Sequence, residues 1–281
     1  MKRKRAPGSL AHGRPPHINK PTATLSSKAT RTLIRSHHQL HKAHAKALKE
    51  GDNLEASRIE EQIEKQGGLK SYQHASIIGQ SVARGGDSSK TLLAWLKSEL
   101  PQTSPGSPPL RVLEVGALSP NNAISTAPGY AVTRIDLNSQ HPDIKTQDFM
   151  ERPVPLFDEK RFDIVSLSLV LNYVPDAEGR GDMLRRTTEF LLQDTPEKES
   201  SFLFLVLPAP CLTNSRYLDE KRLGEIMISL GYMRTNRKLT EKLIYYLWKY
   251  VPDRTKGSRR SFSKTEVNPG RSRNNFCVVL R

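Results

Sequence analysis

Two runs in this chain, "FDIVSLSLV" at 162–170 and "SFLFLVL" at 201–207, are apolar at successive rather than alternate positions. A strand sends successive side chains to opposite faces, so such runs are satisfied only where both faces of a sheet are covered. That condition points to a largely parallel sheet with helices on both sides, a doubly wound, Rossmann-like α/β fold. Short apolar runs continue from Leu110 onward, and the predicted strands are 111–116, 131–137, 144–147, 163–170, 201–207, 242–249 and 274–280. Helices are expected between the fourth and fifth strands and between the fifth and sixth. The last two strands lie close to a hairpin, with the basic stretch "KGSRRSFSKTEVNPGRSR" in the loop between them. In such a fold a ligand sits at the carboxyl ends of the strands, where the strand order reverses.

Upstream of this sheet the composition changes three times. Residues 1–29 mix Arg, Lys, Pro, Ser and Thr with few large apolar side chains and cannot bury enough surface to offset ordering, so a disordered basic tail is expected. From residue 30 to residue 100 a small helical domain is predicted. Leu33, Leu40, Ala43, Ala47 and Leu48 recur at helical spacing before Gly51, Leu54, Ile59 and Ile63 recur after it, and Gly67-Gly68 ends the second helix. A further helix over 88–100 starts at Asp87 or Ser88 as cap, with Leu92, Leu93, Trp95 and Leu96 as its apolar face. "PQTSPGSPP" at 101–109 reads as a linker into the sheet domain at 110–281, whose basic loop spans 252–273.

The net charge of +15 is unevenly placed. The first 50 residues hold 12 basic side chains and one acidic, the last 30 hold eight and two, and the body between is near neutral. A polyanion touched by flanking segments accounts for this, since neutralising phosphates releases condensed counterions. "MKRKRAPGS" has no apolar segment behind its charges and is no secretory signal; it reads as a nuclear or nucleolar address, or equally as a solvated tail. No apolar run approaches the ~20 residues of a membrane span. Cys211 and Cys277 stand alone in apolar runs, which indicates neither a disulfide framework nor a zinc site. His37, His38, His41 and His44 share a predicted helix at spacings that permit metal ligation, but with no Cys or carboxylate among them a basic, RNA-facing or solvated surface is the favoured reading.

Residues able to do chemistry fall at the predicted strand ends. The first strand ends in Glu114-Val115-Gly116, with Glu114 as a supporting residue of the turn. The second ends in Asp136, 20 positions beyond Gly116, the spacing at which a carboxylate can accept both hydroxyls of a ribose. The third leads to "QDFMERP", where Asp148 can meet the exocyclic amine of an adenine and Phe149 its face. A dinucleotide site wants Gly-x-Gly-x-x-Gly so that the backbone closes on a pyrophosphate. Here Ala117, Leu118, Ser119 and Pro120 follow the one glycine and crowd that approach. A cofactor without phosphates, S-adenosylmethionine, needs only one close approach.

"LEVGALSPNNAIS", "VTRIDLNS", "IKTQDFMERPVP", "FDIVSLSLVLNYVPDAEGRGDML" and the upstream "GGLKSYQHASIIGQSVARGGDSSK" together resemble the fungal 25S ribosomal-RNA adenine-N1 methyltransferases, over about residues 30–250. That resemblance implies a class I methyltransferase sheet, S-adenosylmethionine as cofactor, ribosomal RNA and pre-ribosomal particles as partners, and a nucleolar location. It also implies cofactor contacts at Gly116 and Asp136, with Asp148 following from the general class I pattern. Adenine N1 carries a lone pair and no proton, so positioning and aromatic support would suffice for methyl transfer. Asn172, for the base edge, and Tyr173, for stacking, are the expected catalytic residues at the end of the fourth strand; a capped turn with a core tyrosine explains the same "LNYVP". "RGGDSSK" at 84–90 reads as a loop over the cofactor, a phosphate grip or a plain interdomain turn. Animal relatives look like cofactor sensors, so a binding module without methyl transfer stands as the alternative, against which the basic ends argue.

Overall fold

The computed structural model describes residues 27–68, 86–100, 106–139, 141–192, 201–252 and 260–281. Residues 1–26 of the expected basic tail, most of "PQTSPGSPP", and Arg84 and Gly85 of "RGGDSSK" lie outside the described residues, while residues 27–29, expected to be disordered, open the first helix.

The sheet has seven strands: β1 (Leu110–Val115), β2 (Tyr130–Asp136), β3 (Lys145–Thr146), β4 (Ile164–Ser168), β5 (Ser201–Pro208), β6 (Tyr232–Leu239) and β7 (Leu243–Tyr250). Their order is β3-β2-β1-β4-β5-β7-β6. Pairings among the first five are parallel, while β7 runs antiparallel to both β5 and β6. The chain travels outward from β1 to β3, returns to β4 on the other side of β1, and travels outward again. A crevice therefore opens at the carboxyl ends of β1 and β4.

Both-face burial is met as expected. Phe202, Phe204 and Val206 join Val112 and Ile164 in one apolar layer, and Leu203, Leu205 and Leu207 join Leu113 and Val165 in the other. The first layer is covered by α3 (Ser89–Glu99), which contributes Leu92 and Leu96 and sets Trp95 edge-on to Phe204 at 6.1 Å. α3, which the sequence reading grouped with the N-terminal helices, thus packs on the sheet itself. The earlier helices α1 (Ser27–Glu50) and α2 (Asn53–Lys65) share a separate small core of Ala47, Ala56, Ile59 and Ile63. Between them Gly51 adopts φ +75°, the left-handed conformation that ends a helix most cheaply in glycine.

The other sheet face is covered by α5 (Ala177–Phe190) and α7 (Glu220–Ser229); the short α4 (Ala123–Thr126) and α6 (Pro210–Thr213) follow β1 and β5. Asp176 and Asp219 cap α5 and α7, accepting from Gly179 N–H at 2.7 Å and Arg222 N–H at 2.7 Å.

The expected strand count is met by a different seventh member. β6 was not predicted: in "YMRTNRKL" only Tyr232 is fully buried, because an edge strand covered on few sides shows no apolar period. Its backbone is paired to β7, and Glu220 stitches it to α7 by accepting from Arg237 at 2.8 and 2.5 Å.

Residues 274–280, predicted as the last strand, join no strand of the sheet. Their alternating burial, Phe276, Val278 and Leu280 in the α5-side core, mimics a strand pattern. Their backbone groups go instead to Asn214 and Ala177, to the Arg180 guanidinium, to the Ser215 hydroxyl and to an isolated bridge with Phe262. They form a strap along α5. The basic stretch at 252–273 accordingly follows the last strand and does not link two strands.

Candidate functional site

At the end of β1 the chain turns out of the sheet at Gly116, whose φ is +73°. The N–H groups of Gly116 and Ala117 both donate to Ile135 O, at 2.8 and 3.1 Å, so the turn folds over the end of β2. A Cβ at Gly116 would lie 2.7 Å from Val170 Cγ2, beside the end of β4. Glycine is required here by both conformation and space.

Asp136 ends β2 next to this turn. Its Oδ1 accepts from Asn138 N–H at 2.8 Å, and its carbonyl accepts from Gln147 N–H at 2.9 Å, which sets the loop after β3 alongside. Burial holds the Asp136 carboxyl above the usual carboxylate range, opposed by the Asn138 N–H. Asp148 follows, half-buried, with Oδ1 accepting from Met150 N–H at 2.7 Å.

Phe149 is placed otherwise than expected. It is 3% exposed, its ring packs on Phe190 at 5.2 Å, and the Arg186 guanidinium donates to its carbonyl. Its face is spent in the α5-side core and is not offered to an adenine. The apolar side chain that is offered beside Asp136 is Leu137, 62% exposed. A leucine directly after the acid that ends the second strand was the available sequence signal for it.

Beyond β4, Leu169 adopts φ +59°, the one positive φ outside glycine among the described residues, while its N–H still donates to Val206 O at 2.9 Å. Backbone strain of this kind persists where the surroundings over-determine it, and it gathers at ligand sites. Three residues on, Asn172 Oδ1 is buried with no hydrogen-bond partner, and Tyr173 N–H closes a turn on Val170 O at 2.9 Å. Arg180 of α5 donates to the carbonyls of Val174, Pro175 and Cys277, at 3.0, 3.1 and 2.7 Å, and so holds this loop against the C-terminal strap.

A polar cluster supports the β1 turn from beneath. Glu114 is 8% exposed; Oε1 accepts from Asn122 Nδ2 at 2.5 Å and Oε2 has no partner. Asp87 Oδ2 accepts from Ala123 N–H at 2.5 Å, its Oδ1 accepts from Ser89 N–H and Oγ, and Ser89 Oγ in turn accepts from Ile124 N–H at 3.1 Å. Asp87 and Ser89 thus cap α4 from another part of the chain. Ser88 Oγ pairs with Ser168 Oγ at 2.8 Å at the end of β4. In the described part of "RGGDSSK" the Asp87 carboxylate and the Ser88 and Ser89 hydroxyls are bonded within the protein and tie α3 to the site.

Glu114 carries a testable pH signature. Burial, reinforced by Asp87 and opposed by the Asn122 bond and Arg134, pushes its carboxyl up to about 7 from the ordinary 4.5. A raised folded-state value means that the stabilisation is complete below pH 4.5 and is lost as pH rises towards 7. The Glu114→Gln protein, free of cofactor, is expected to gain ~1–3 kcal/mol relative to the parent between those limits. Urea unfolding at steps across that range reads the difference, and a constant difference contradicts a buried, titrating Glu114.

Elsewhere, His37 is buried with its ring 4.3 Å from that of His41, and burial holds it near pKa 4. Among the described residues no three His, Cys, Asp or Glu gather as metal ligands, and no helix is long and apolar enough to cross a membrane. Cys211 and Cys277 are free and buried, and burial pushes the Cys211 thiol up to about 12.

A doubly wound sheet with an inserted antiparallel β7, a lone-glycine turn after β1 and an acid ending β2 defines a class I S-adenosylmethionine-dependent methyltransferase. The chain belongs to the Bmt2 family of 25S rRNA (adenine(2142)-N(1))-methyltransferases, whose family model matches residues 57–278. A 25S rRNA adenine-N(1) methyltransferase of Schizosaccharomyces pombe is 40% identical over 250 residues, 88% of this chain and 89% of that protein. The 25S rRNA (adenine(2142)-N(1))-methyltransferase of Saccharomyces cerevisiae is 41% identical over 226 residues, 79% of this chain and 63% of that protein. Among solved structures, the N-methyltransferase NodS of Bradyrhizobium japonicum matches at a TM-score of 0.38 and 14% identity, over 58% of this chain and 84% of that one, a likeness too distant to inform the site.

The residues present fit this cofactor. Glu114 Oε2 is a buried acceptor without a donor, and Asp136 presents a carboxylate at the end of the neighbouring strand. Acceptors in that state suit a ligand that brings an ammonium and two ribose hydroxyls.

Proposed function

We propose that this chain methylates N1 of an adenine in 25S ribosomal RNA from a cofactor lodged across the ends of β2, β1 and β4. The observation that carries the reading is the run of acceptors at the ends of three adjacent strands, Asp136, Glu114 and, beyond β4, Asn172, around a turn that only glycine fits. Asp136 holds the ribose hydroxyls, Leu137 lies against the adenine ring of the cofactor in place of Phe149, and Asp148 meets its exocyclic amine. Gly116 allows the main chain to approach the amino-acid portion.

S-adenosylmethionine supplies an electrophilic methyl on a sulfonium. The chain's own work is positioning, because adenine N1 attacks with a free lone pair and no base need take a proton. Asn172 Oδ1, buried and unpaired, accepts from the N6 amine of the target adenine and thereby fixes the N1 edge. Tyr173 stacks on the base taken out of the RNA and supports the positive charge that N1 gains. Arg180 keeps both residues in register through the carbonyls of Val174 and Pro175. The basic ends of the chain support a nucleolar location and pre-ribosomal particles as the form in which the RNA is met.

Purified protein incubated with 25S rRNA and cofactor should yield N1-methyladenosine by mass spectrometry, with a primer-extension stop at the modified base. Cofactor binding with unmodified RNA would instead make the protein a sensor. The Asp136→Ala change is expected to weaken cofactor binding by ~1–3 kcal/mol, since a charged acceptor is lost from paired hydroxyls. Unchanged affinity in calorimetry would move the pocket elsewhere.

A further inference from the structure

We propose that a basic rim, Arg216 and Lys264 against the Tyr217 ring with Arg271 and Arg273 further along the pinned 260–275 stretch, grips the phosphates flanking the target adenine. This rests on the RNA reading given above. The rim combines two parts of the chain that are remote in sequence, the loop after β5 and the stretch at 260–275.

The second stretch contains almost no regular structure, yet its backbone is pinned at many points. Val267 and Asn268 N–H both donate to Arg216 O, at 2.9 and 3.1 Å. Arg216 N–H donates to Asn274 O at 2.9 Å and Asn274 N–H to Asn214 O at 2.9 Å. The Asn268 and Asn274 side chains add bonds to Ser215 O and Pro210 O, at 3.2 and 2.6 Å, and the Ser215 hydroxyl, buried, donates to Phe276 O at 2.5 Å. A loop fixed in this way has lost its conformational freedom before any ligand arrives, so the ordering cost of binding is already met.

What this frame holds up is positive charge. Lys264 Nζ lies 4.5 Å from the centroid of the Tyr217 ring and the Arg216 guanidinium 5.8 Å from it. Arg216 donates to Gly270 O at 3.0 Å and Arg273 to Pro269 O at 3.2 Å. Each of these bonds orients a cation and leaves its charge uncompensated. None of the four forms an ion pair among the described residues, whereas nearby Arg222 is paired with Glu225. The one carboxylate of the stretch, Glu266, is exposed. Uncompensated cations gathered on a pinned frame cost self-repulsion, which a polyanion relieves.

The location selects RNA over any other polyanion. β4 and β5 are parallel neighbours, so the loop after β5 lies on the same edge of the sheet as the "LNYVP" loop. Arg180 ties the "LNYVP" loop, through the carbonyls of Val174 and Pro175, to Cys277 of the strap that continues from the 260–275 stretch. A base seated at Asn172 and Tyr173 therefore carries its own flanking phosphates towards this rim.

The test uses the full chain with Lys264, Arg271 and Arg273 each changed to Gln, and Arg216 kept. Binding of a 25S rRNA transcript is measured at several salt concentrations, beside cofactor affinity and thermal stability. Each phosphate contact on single-stranded RNA contributes ~0.7 to the slope of log affinity against log salt, so the triple variant should lose about 2 from that slope. Affinity near 0.1 M salt should fall by at least about tenfold, with cofactor affinity and melting temperature unchanged. A slope equal to that of the parent overturns the proposal. So does intact RNA binding combined with lost binding to an acidic protein of the large subunit, which would make the rim a protein-docking surface. The two readings separate cleanly: a parent that methylates RNA while the variant keeps its salt slope sinks the rim alone. A parent that binds RNA but never methylates it, with the slope reduced in the variant, sinks the enzymatic reading alone.

Discussion

The Gly116→Arg protein is expected to fold and to have lost at least about 100-fold in methylation of 25S rRNA, some 2.7 kcal/mol of transition-state stabilisation. Two costs arrive together. At φ +73° any side chain meets the strain of the left-handed region, ~1–2 kcal/mol. The new Cβ also starts 2.7 Å from Val170 Cγ2, and Val170 sits between the strained Leu169 and the Asn172-Tyr173 pair. Relief of that contact moves the end of β4, the part of the site assigned to the target base. The rest of the arginine then projects into the crevice where the cofactor's amino-acid portion belongs. Primer extension on rRNA from cells carrying only this variant reads the effect, and calorimetry with cofactor separates lost binding from lost transfer. Modification at the parent level would remove Gly116 from the site.

The Gly181→Ala change is expected to destabilise the protein by ~2 kcal/mol and to lower its melting temperature by about 4–8 °C. Alanine in mid-helix should gain up to ~1 kcal/mol over glycine. Here that gain is outweighed, because a Cβ at Gly181 would stand 1.8 Å from Val279 O and 2.8 Å from its carbonyl carbon. The obstacle is backbone, so relief requires the C-terminal strap to lift from α5. Lifting strains the Val279 N–H bond to Ala177 O, the Arg180 bond to Cys277 O and the burial of Phe276, Val278 and Leu280. Thermal unfolding measures the loss. Because Arg180 links the strap to the "LNYVP" loop, methylation should fall with it, while cofactor affinity, which the proposed site places at Gly116 and Asp136, should be largely kept. A variant as stable as the parent would mean that the strap is no part of the cooperative core.

These two glycines show how unevenly the molecule could be read from its residues. Gly116 was visible because its cause is local: an apolar run ends, a turn must follow, and an acid recurs 20 positions later at the next strand end. Gly181 was invisible because its cause is the carbonyl of Val279, almost a hundred residues away. The same division runs through the sheet. β1, β4 and β5 are recognisable from apolar runs, since a strand buried on both faces writes its environment into successive positions. β6 is not, since an edge strand owes its existence to the partner that pairs with its backbone. Residues 274–280 carry a strand's alternation yet lie on α5, since burial on one side leaves the same pattern whether the cover is a sheet or a helix.

By itself, then, the sequence determined the doubly wound class, the turn at Gly116, the acids at 136 and 148 and the absence of a phosphate-cradling loop, all consequences of short-range pattern. Only the tertiary structure decided that Phe149 turns inward against Phe190 and that Asp87 is spent on α4. It alone left Glu114 and Asn172 with unpaired oxygens and set Lys264 of the basic loop against the Tyr217 ring. Each of those depends on which distant group supplies the donor, the ring or the carbonyl, and residue pattern along one segment carries no information about a partner contributed by another.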